Sequence, residues 1–170
     1  MRNYIMFIAV EDSKEEIFSL ALHEKLWVIV PISDHDDINS SGGTHWTTLA
    51  ISTVYRQGFH FDSGQTANAA NYENAQRFTK IILNALTAEN AAAVNDDFVV
   101  HQCYCTKQEN GYDCGYHTCA NIEALLQAMP VYPQRLMMEQ ITSYPVEAAD
   151  QVRTKCTGRL KALLRQHFGG

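Results

Sequence analysis

The sequence has little of what marks a membrane, secreted or nucleic-acid-binding protein. The apolar run near the N-terminus, Ile5 to Val10, is followed by acidic residues and is too short for a signal-peptide core or a membrane span. Lys and Arg number 13 against 19 Asp and Glu, a formal net charge of -6, which does not suit non-specific nucleic-acid binding. We therefore expect a monomer of the cytosol or nucleus, with neither a membrane nor a nucleic acid among its partners.

The cysteines also lack the spacing of a disulfide framework or a zinc site. There are five of them, an odd number, and no paired Cys-x-x-Cys motif occurs. His101, Cys103 and Cys105 alternate along a strand-like stretch and are the nearest approach to a metal-ligand set, but structural zinc sites use closer pairs. We expect free thiols in a reducing compartment, and no metal or cofactor.

The remaining pattern predicts one α+β domain spanning residues 1–170. A hydrophobic content of 46% and a charged content of 19% are ordinary for a soluble globular domain of this length. Strands in one cluster, with helices before and after them, favour α+β over alternating βαβ units. Strands are predicted at 26–32 and 97–104 and on either side of 56–58; helices are predicted at 11–22, 71–86, 115–129, 133–141 and 146–167.

The most unusual stretch is QENGYDCG, which ends in Cys114 at the predicted start of a helix. A thiol there would face unpaired backbone N–H groups and the positive end of the helix dipole, both of which favour the nucleophilic thiolate. Gly111 and Gly115 flank the cysteine and allow a tight turn and close approach of a substrate. Because cysteine is among the most commonly buried residues, an inert structural thiol is the alternative at this position.

A nucleophilic cysteine needs a base, and the base needs an orienting carboxylate. His45 opens one predicted strand and Asp62 closes the next, so pairing of the two strands as a hairpin would bring these side chains together. His60, His101 and His117 compete for the role of base. His117 lies one helical turn after Cys114 and is the second choice, because it would leave Asp62 without a role.

Gln108 supplies a neutral donor six positions before Cys114. Acyl transfer places negative charge on a carbonyl oxygen, and a side-chain amide together with the Cys114 backbone N–H can bind that oxyanion. Without the cysteine, Gln108 would be interpreted as an exposed loop residue.

Three segments, GGTHWTTLAI, FHFDS and QENGYDCGYHTC with the following NIEALLQ, together resemble the ubiquitin-like-protein-specific cysteine proteases of the sentrin-specific protease family. Within that family the chain is most similar to the deneddylase branch, which processes and removes the modifier Nedd. The resemblance runs from about Trp27 to Gln127 and implies a papain-like α+β fold. It also implies a ubiquitin-like modifier, of Nedd or SUMO type, and its conjugates as partners.

The resemblance assigns a role to five positions of this sequence. In chain order these are the base His45, the substrate-tunnel wall Trp46, the orienting acid Asp62, the oxyanion donor Gln108 and the nucleophile Cys114. The tunnel of the family admits only the Gly-Gly tail of the modifier. The implied activity is therefore that of a thiol protease and isopeptidase cleaving after that tail.

One family feature, a Trp-Leu-Asn-Asp pattern well before the histidine, is not found in this sequence. Trp27 lies in the apolar run LWVIV and is interpreted as a core residue rather than as the second tunnel wall. The chain is thus expected to be N-terminally short relative to the family. This departure leaves a catalytically weak or inactive modifier-binding module as an alternative to the enzyme. A cysteine-dependent protein acetyltransferase, which shares the histidine-acid-cysteine order, is a third hypothesis.

Overall fold

The computed structural model describes residues 22, 25–34, 43–64, 69–87, 98–128 and 147–168, and all structural statements below concern these residues. They form, in chain order, β1 (Trp27–Ser33), β2 (Trp46–Ser52), β3 (Gln57–Phe61), α1 (Ala69–Thr87), β4 (Val99–Cys103), α2 (Cys114–Ala128) and α3 (Glu147–Phe168). The predicted α+β class is confirmed. The predicted helices at 11–22 and 133–141 lie outside the described residues, apart from the buried Leu22.

The strands form one small mixed sheet in the order β1-β2-β3-β4. β1, β2 and β3 pair antiparallel, with Ser33 opposite Trp46 and Thr48 opposite Phe61, while β4 runs parallel to β3. The antiparallel hairpin predicted for β2 and β3 is therefore present. It places the start of β2 beside the end of β3, which is the edge where the candidate site lies.

The predicted position of the hairpin turn, around Arg56 to Gly58, is wrong. The turn occupies residues 53–56, and Gln57 already pairs with Ser52. Arg56 takes the left-handed backbone conformation at φ 53° and closes the turn early. Gly58 is needed for packing instead, because a Cβ there would lie 2.6 Å from Thr79 Oγ1 and 3.1 Å from Val100 Cγ2.

Apolar side chains fill both sides of the sheet, which explains why β1 is an almost continuous hydrophobic run. On one side α1 covers a cluster of aliphatic residues that includes Val28, Val30, Ile32, Leu49, Ile51, Ile82 and Leu83. On the other side α2 covers a second cluster made of Ile29, Ala50, Phe59, Phe61, Cys105, Ile122 and Leu125. The sheet is thus held between two helices, and its end is free to carry polar side chains.

The third helix, α3, packs against α2 on the side away from the sheet. The Arg153 guanidinium lies 5.2 Å from the centroid of the Tyr116 ring, and Lys155 Nζ lies 3.7 Å from Glu123 Oε1. The predicted helix at 146–167 is confirmed with a shift of one residue at each end. Among the helices in the described ranges, none combines the length and apolar composition that crossing a membrane requires.

Candidate active site

His45 and Asp62 meet at the end of the β2–β3 hairpin. His45 directly precedes β2 and Asp62 directly follows β3, and His45 Nε2 lies 2.6 Å from Asp62 Oδ1. Only 13% of the histidine side chain and 12% of the aspartate side chain are exposed, so water competes little for this contact. Asp62 Oδ1 also accepts a hydrogen bond from the Gly64 backbone N–H at 2.8 Å. With Nε2 on the carboxylate, the other ring nitrogen, Nδ1, faces away from Asp62.

The backbone of His45 is fixed by Asp34, which the sequence analysis missed. Asp34 Oδ1 accepts hydrogen bonds from the backbone N–H of Thr44 at 2.7 Å and of His45 at 3.1 Å, and Thr44 Oγ1 donates to Asp34 Oδ2 at 2.6 Å. In return, the Asp34 backbone N–H donates to the His45 carbonyl at 3.2 Å, and Asn71 of α1 also donates to that carbonyl. The signal for Asp34 is its position just after β1, opposite the start of β2.

Gln108 is tied to the turn that follows Asp62. Its backbone N–H donates to the Ser63 carbonyl at 2.8 Å, and Ser63 Oγ donates to Gln108 Oε1 at 2.9 Å. Because Oε1 is the acceptor in that bond, Nε2 is fixed as the donor end of the amide, and it donates to the Asn110 carbonyl at 2.6 Å. An amide nitrogen carries two hydrogens and can serve two acceptors. Only 5% of Gln108 is exposed, so it is not the exposed loop residue that was the alternative interpretation.

A lysine next to Gln108 fixes the backbone of the same turn. Lys107 Nζ donates to the carbonyl oxygens of Asp62 and Gly64, each at 2.9 Å. Asp62 and Gln108 therefore lie on two segments that are joined by both side-chain and backbone hydrogen bonds.

Cys114 begins α2, as the helix-start prediction required, and is 6% exposed. The preceding turn is organised by Asn110, whose Oδ1 accepts hydrogen bonds from the backbone N–H of Tyr112 at 3.0 Å and of Asp113 at 2.9 Å. The Asp113 carbonyl accepts the backbone N–H groups of Tyr116 and His117, which starts the helix. This turn sets the direction in which α2 leaves the loop and thereby the position of the thiol.

A groove of about 630 Å³ runs along α2 beside the start of β2. It is lined by Pro31, Trp46, Gly115, Thr118, Cys119, Ile122, Glu123, Leu126 and Gln127. Trp46 and Gly115, the residues that follow His45 and Cys114, thus border the same groove. A hydrogen bond of 3.3 Å from Thr48 Oγ1 to the Thr118 carbonyl joins β2 to α2 at this point.

The two tryptophans differ in environment as the sequence analysis expects. Trp46 is 40% exposed at the groove. Trp27 is half-buried and packs in the second hydrophobic cluster, with its ring centroid 5.7 Å from that of Phe59. Its interpretation as a core residue is confirmed.

The three competing histidines have other partners. His60 Nε2 lies 2.9 Å from Thr47 Oγ1, and burial lowers the pKa of His60 to about 4, so the ring is neutral at physiological pH. Burial also lowers the pKa of His117, whose ring hydrogen-bonds the Thr106 backbone. The His101 ring stacks on Phe59 at 5.3 Å. The structure therefore brings His45, rather than these residues, into contact with Asp62.

Two thiols, the half-buried Cys103 at the end of β4 and the buried Cys105 just after it, are protonated. Burial raises the pKa of Cys103 to about 12 and that of Cys105 to about 11. Within the ranges the structure describes, no group of three or more His, Cys, Asp or Glu residues is arranged as a metal site.

The sequence matches the family model described as the Ulp1 protease family, C-terminal catalytic domain, over residues 10–160. It is 30% identical to mouse sentrin-specific protease 8 over 127 residues, which are 72% of this chain and 53% of that protein. It is 31% identical to NEDD8-specific protease 1 of Schizosaccharomyces pombe over 127 residues, which are 71% of this chain and 27% of that protein. The chain therefore spans about half the length of the first relative and about a quarter of the second.

Solved structures agree on the fold. A de-sumoylating protease superposes with a TM-score of 0.54 at 14% identity, covering 97% of this chain and 75% of that chain. The C-terminal Ulp1 protease domain in complex with Smt3, the yeast ortholog of SUMO, gives a TM-score of 0.53 at 17% identity, covering 85% of this chain and 58% of that chain. The predicted protease fold is confirmed. With a family match over residues 10–160 and a histidine and an aspartate joined at the end of the sheet, the chain belongs to the Ulp1 protease family.

Proposed function

We propose that this protein is a thiol protease and isopeptidase that cleaves after the C-terminal Gly-Gly of a ubiquitin-like modifier. The observation that carries the proposal is the 2.6 Å contact between His45 Nε2 and Asp62 Oδ1, next to Ser63, which is hydrogen-bonded to Gln108 in the segment that leads to Cys114. Membership of the Ulp1 protease family supports the same reaction class.

The nucleophile in this proposal is the sulfur of Cys114. His45 Nδ1 accepts the thiol proton, because Nε2 is committed to Asp62, and the resulting thiolate attacks the carbonyl carbon of the terminal glycine. Asp62 holds the imidazole in this orientation and stabilises its protonated form. It keeps that orientation because Gly64 and Lys107 fix the turn on which it lies.

The oxyanion that forms accepts hydrogen bonds from Gln108 Nε2 and the Cys114 backbone N–H. The Ser63 hydroxyl, by donating to Gln108 Oε1, prevents the amide from presenting its oxygen to the negative charge. His45 then gives its proton to the leaving amine, either a lysine side chain or a peptide nitrogen. The acyl group remains on Cys114 as a thioester, and water cleaves it.

The groove beside the site suits an extended tail without side chains. Trp46 borders it on one side, and a Cβ added at Gly115 would meet no atom within 4 Å, so the helix start is kept open at that point. A tail of two glycines can approach the sulfur more closely than any tail with side chains. Trp46 in this proposal contacts the tail and orients it toward Cys114.

A Nedd-type modifier is the preferred substrate, with a SUMO-type modifier as the alternative. The support is that NEDD8-specific protease 1 of fission yeast is among the relatives of this chain. Side-by-side cleavage of C-terminal fusions of Nedd, SUMO and ubiquitin distinguishes these substrates, and we expect the Nedd fusion to be cleaved fastest.

A modifier with an electrophilic C-terminus tests the reaction itself. We expect the wild type to form a covalent adduct, Cys114→Ala to form none, and Cys156→Ala, which removes an exposed thiol on α3, to react like the wild type. Adduct formation by Cys114→Ala would remove the nucleophile assignment. Saturable binding without any adduct or cleavage would show a modifier-binding module instead of a protease.

A further inference from the structure

Arg153 links helix α3 to the loop that carries the nucleophile. Its guanidinium forms an ion pair with the carboxylate of Asp113, the residue before Cys114, and lies over the Tyr116 ring. The Asp113 side chain is 10% exposed and the Arg153 side chain 37% exposed, so the pair sits at the border of the solvent. Arginine suits this position because its flat group can face a carboxylate and a ring together.

From Asp113 the contacts continue to the oxyanion donor. Asn110 Nδ2 donates to Asp113 Oδ2 at 2.6 Å, and the Asn110 carbonyl accepts the hydrogen bond from Gln108 Nε2 at 2.6 Å. Each step is a short hydrogen bond or an ion pair between groups that are at least partly buried. A displacement of the Asp113 carboxylate therefore moves Asn110, and with it the acceptor that aims the Gln108 amide.

The carboxylate at the centre of these contacts is charged. Burial alone would raise the pKa of Asp113, but hydrogen bonds from Asn110 and Arg153 outweigh burial, and the pKa lies below its usual range. Removing Arg153 would take away one of the two side chains described here as hydrogen-bonding this carboxylate and would leave its charge less compensated. We expect it to turn toward solvent, because an uncompensated buried charge is costly.

We propose that Arg153 is a positioning residue for catalysis, acting through Asp113 and Asn110 to aim the Gln108 amide at the oxyanion. The inference rests on the proposed protease function, to which it adds a residue that neither the sequence motif nor the hairpin contains. It places control of the oxyanion site on α3, an element that itself contributes no group to the reaction.

The first test compares Arg153→Met with Lys155→Met. Lys155 is a matched control because it is a cation on the same helix, pairs with α2 through Glu123, and is 68% exposed. We expect Arg153→Met to lower kcat on a modifier fusion by about tenfold to a hundredfold, a part of the 10²–10³ that losing an oxyanion donor costs, with KM little changed. Lys155→Met should behave like the wild type, and Arg153→Lys should recover part of kcat because it keeps the charge.

A readout without an oxyanion separates positioning from general damage. Alkylation of Cys114 by iodoacetamide forms no tetrahedral intermediate, so its rate should be the same in Arg153→Met and the wild type. A parallel loss of alkylation and turnover would show a structural role for Arg153 and overturn the inference.

The second test is a double-mutant cycle with Gln108→Ala. If Arg153 acts through Gln108, Arg153→Met should cause little further loss of kcat once the amide is gone. If the fold-losses of kcat from Arg153→Met and Gln108→Ala multiply in the double variant, Arg153 acts by another route and the inference is overturned.

A third readout is independent of turnover. The Tyr112 and Asp113 amides donate to Asn110 Oδ1, so their hydrogen exchange should accelerate in Arg153→Met and stay unchanged in Lys155→Met. Unchanged hydrogen exchange in Arg153→Met would overturn the inference, whether or not the wild type cleaves a modifier fusion. Failure of the wild type to cleave any modifier fusion would instead contradict the proposed function. If Arg153→Met does not fold, Arg153→Lys serves in all three comparisons with smaller expected effects.

Discussion

The two halves of the candidate site are held in different ways. The half that carries His45 and Asp62 is one hairpin, and its side chains meet because antiparallel pairing puts the start of β2 beside the end of β3. The half that carries Gln108 and Cys114 is a loop and a helix start, and it depends on partners distant in sequence, Ser63 on one side and Arg153 on the other. The proposed base and acid are therefore brought together by the hairpin register, with Asp34 and Lys107 bracing their backbone, whereas the proposed oxyanion donor is placed by tertiary packing.

The halves also differ in the charge that each buries. The hairpin half buries His60 in a neutral state, while the loop half buries Asp113 as a carboxylate stabilised by Asn110 and Arg153. A buried neutral histidine destabilises the fold when it must take up a proton, and a paired carboxylate destabilises the fold when it is protonated. The halves should therefore fail under different changes.

The largest effect is expected from His45→Ala, which removes the proposed base while leaving the hairpin in place. We expect kcat on a modifier fusion to fall by about 10²–10⁴-fold, the usual contribution of general acid–base catalysis. Asp62→Asn should lower kcat by less than His45→Ala does, because an amide oxygen can still accept hydrogen bonds from both His45 and Gly64. Steady-state kinetics of both variants measures the difference.

The control for His45→Ala is His101→Ala, which removes a half-buried ring that stacks on Phe59 away from the hairpin end. It should keep turnover close to that of the wild type. Full turnover by His45→Ala would mean that the hairpin half does not supply the base, and the contrast between the two halves would disappear.

A smaller effect is expected from acid, which should act on the hairpin half first. The pKa of His60 is about 4 in the folded protein against an ordinary value of 6.5, so below pH 6.5 the unfolded chain takes up a proton that the folded chain does not. Stability is thus lost as the pH falls from 6.5 to 4, by roughly 3 kcal/mol for a group with this shift. Asp113 affects stability at lower pH than His60 does. Because the pKa of Asp113 is lowered in the folded protein, its carboxylate stabilises the fold above the ordinary pKa of 3.8, and this stabilisation is lost as the pH falls through the folded pKa.

Urea unfolding of His60→Gln at a series of pH values tests this order. The variant should lose stability less steeply than the wild type between pH 6.5 and 4, because glutamine does not titrate. Some slope should remain, since burial also lowers the pKa of His117. Equal slopes for variant and wild type would show that His60 is not kept neutral by the hairpin.

The same contrast explains how far the sequence predicted the molecule. The apolar run of β1 and the apolar patterns of α1 and α2 predicted these elements to within two residues, and the hairpin placed His45 next to Asp62. Hairpin pairing is a local consequence of alternation, so one sequence is enough to find it. The turn at 53–56 was missed because Gly58 was interpreted as a turn residue. Gly58 is instead required within β3, because Thr79 of α1 packs too closely to leave room for a Cβ.

The roles of Asn110, Asp113 and Arg153 were not predictable in the same way. Asn110 and Asp113 are residue types that are common in turns, and nothing in the predicted helix at 146–167 distinguished Arg153. Only the packing of α3 on α2 brings that guanidinium to the loop. Contacts between elements so far apart in sequence leave no periodic signal, so this half of the site needed the structure.

The smallest effect is expected at Asp34, which sharpens the claim that the hairpin half is locally held. Asp34→Ala removes the acceptor for the backbone N–H groups of Thr44 and His45 and for the Thr44 hydroxyl. Because the Thr44 bonds are exposed to water, we expect the free energy of unfolding to fall by only about 1 kcal/mol. The loosened His45 should lower kcat by less than His45→Ala does and leave KM unchanged. Asp34→Asn, which keeps one acceptor oxygen, is the matched control. Its free energy of unfolding and its kcat should lie between those of the wild type and those of Asp34→Ala. Urea unfolding together with kinetics measures both quantities, and a kcat loss in Asp34→Ala as large as in His45→Ala would mean that the pairing of β2 with β3 alone does not hold the base beside its acid.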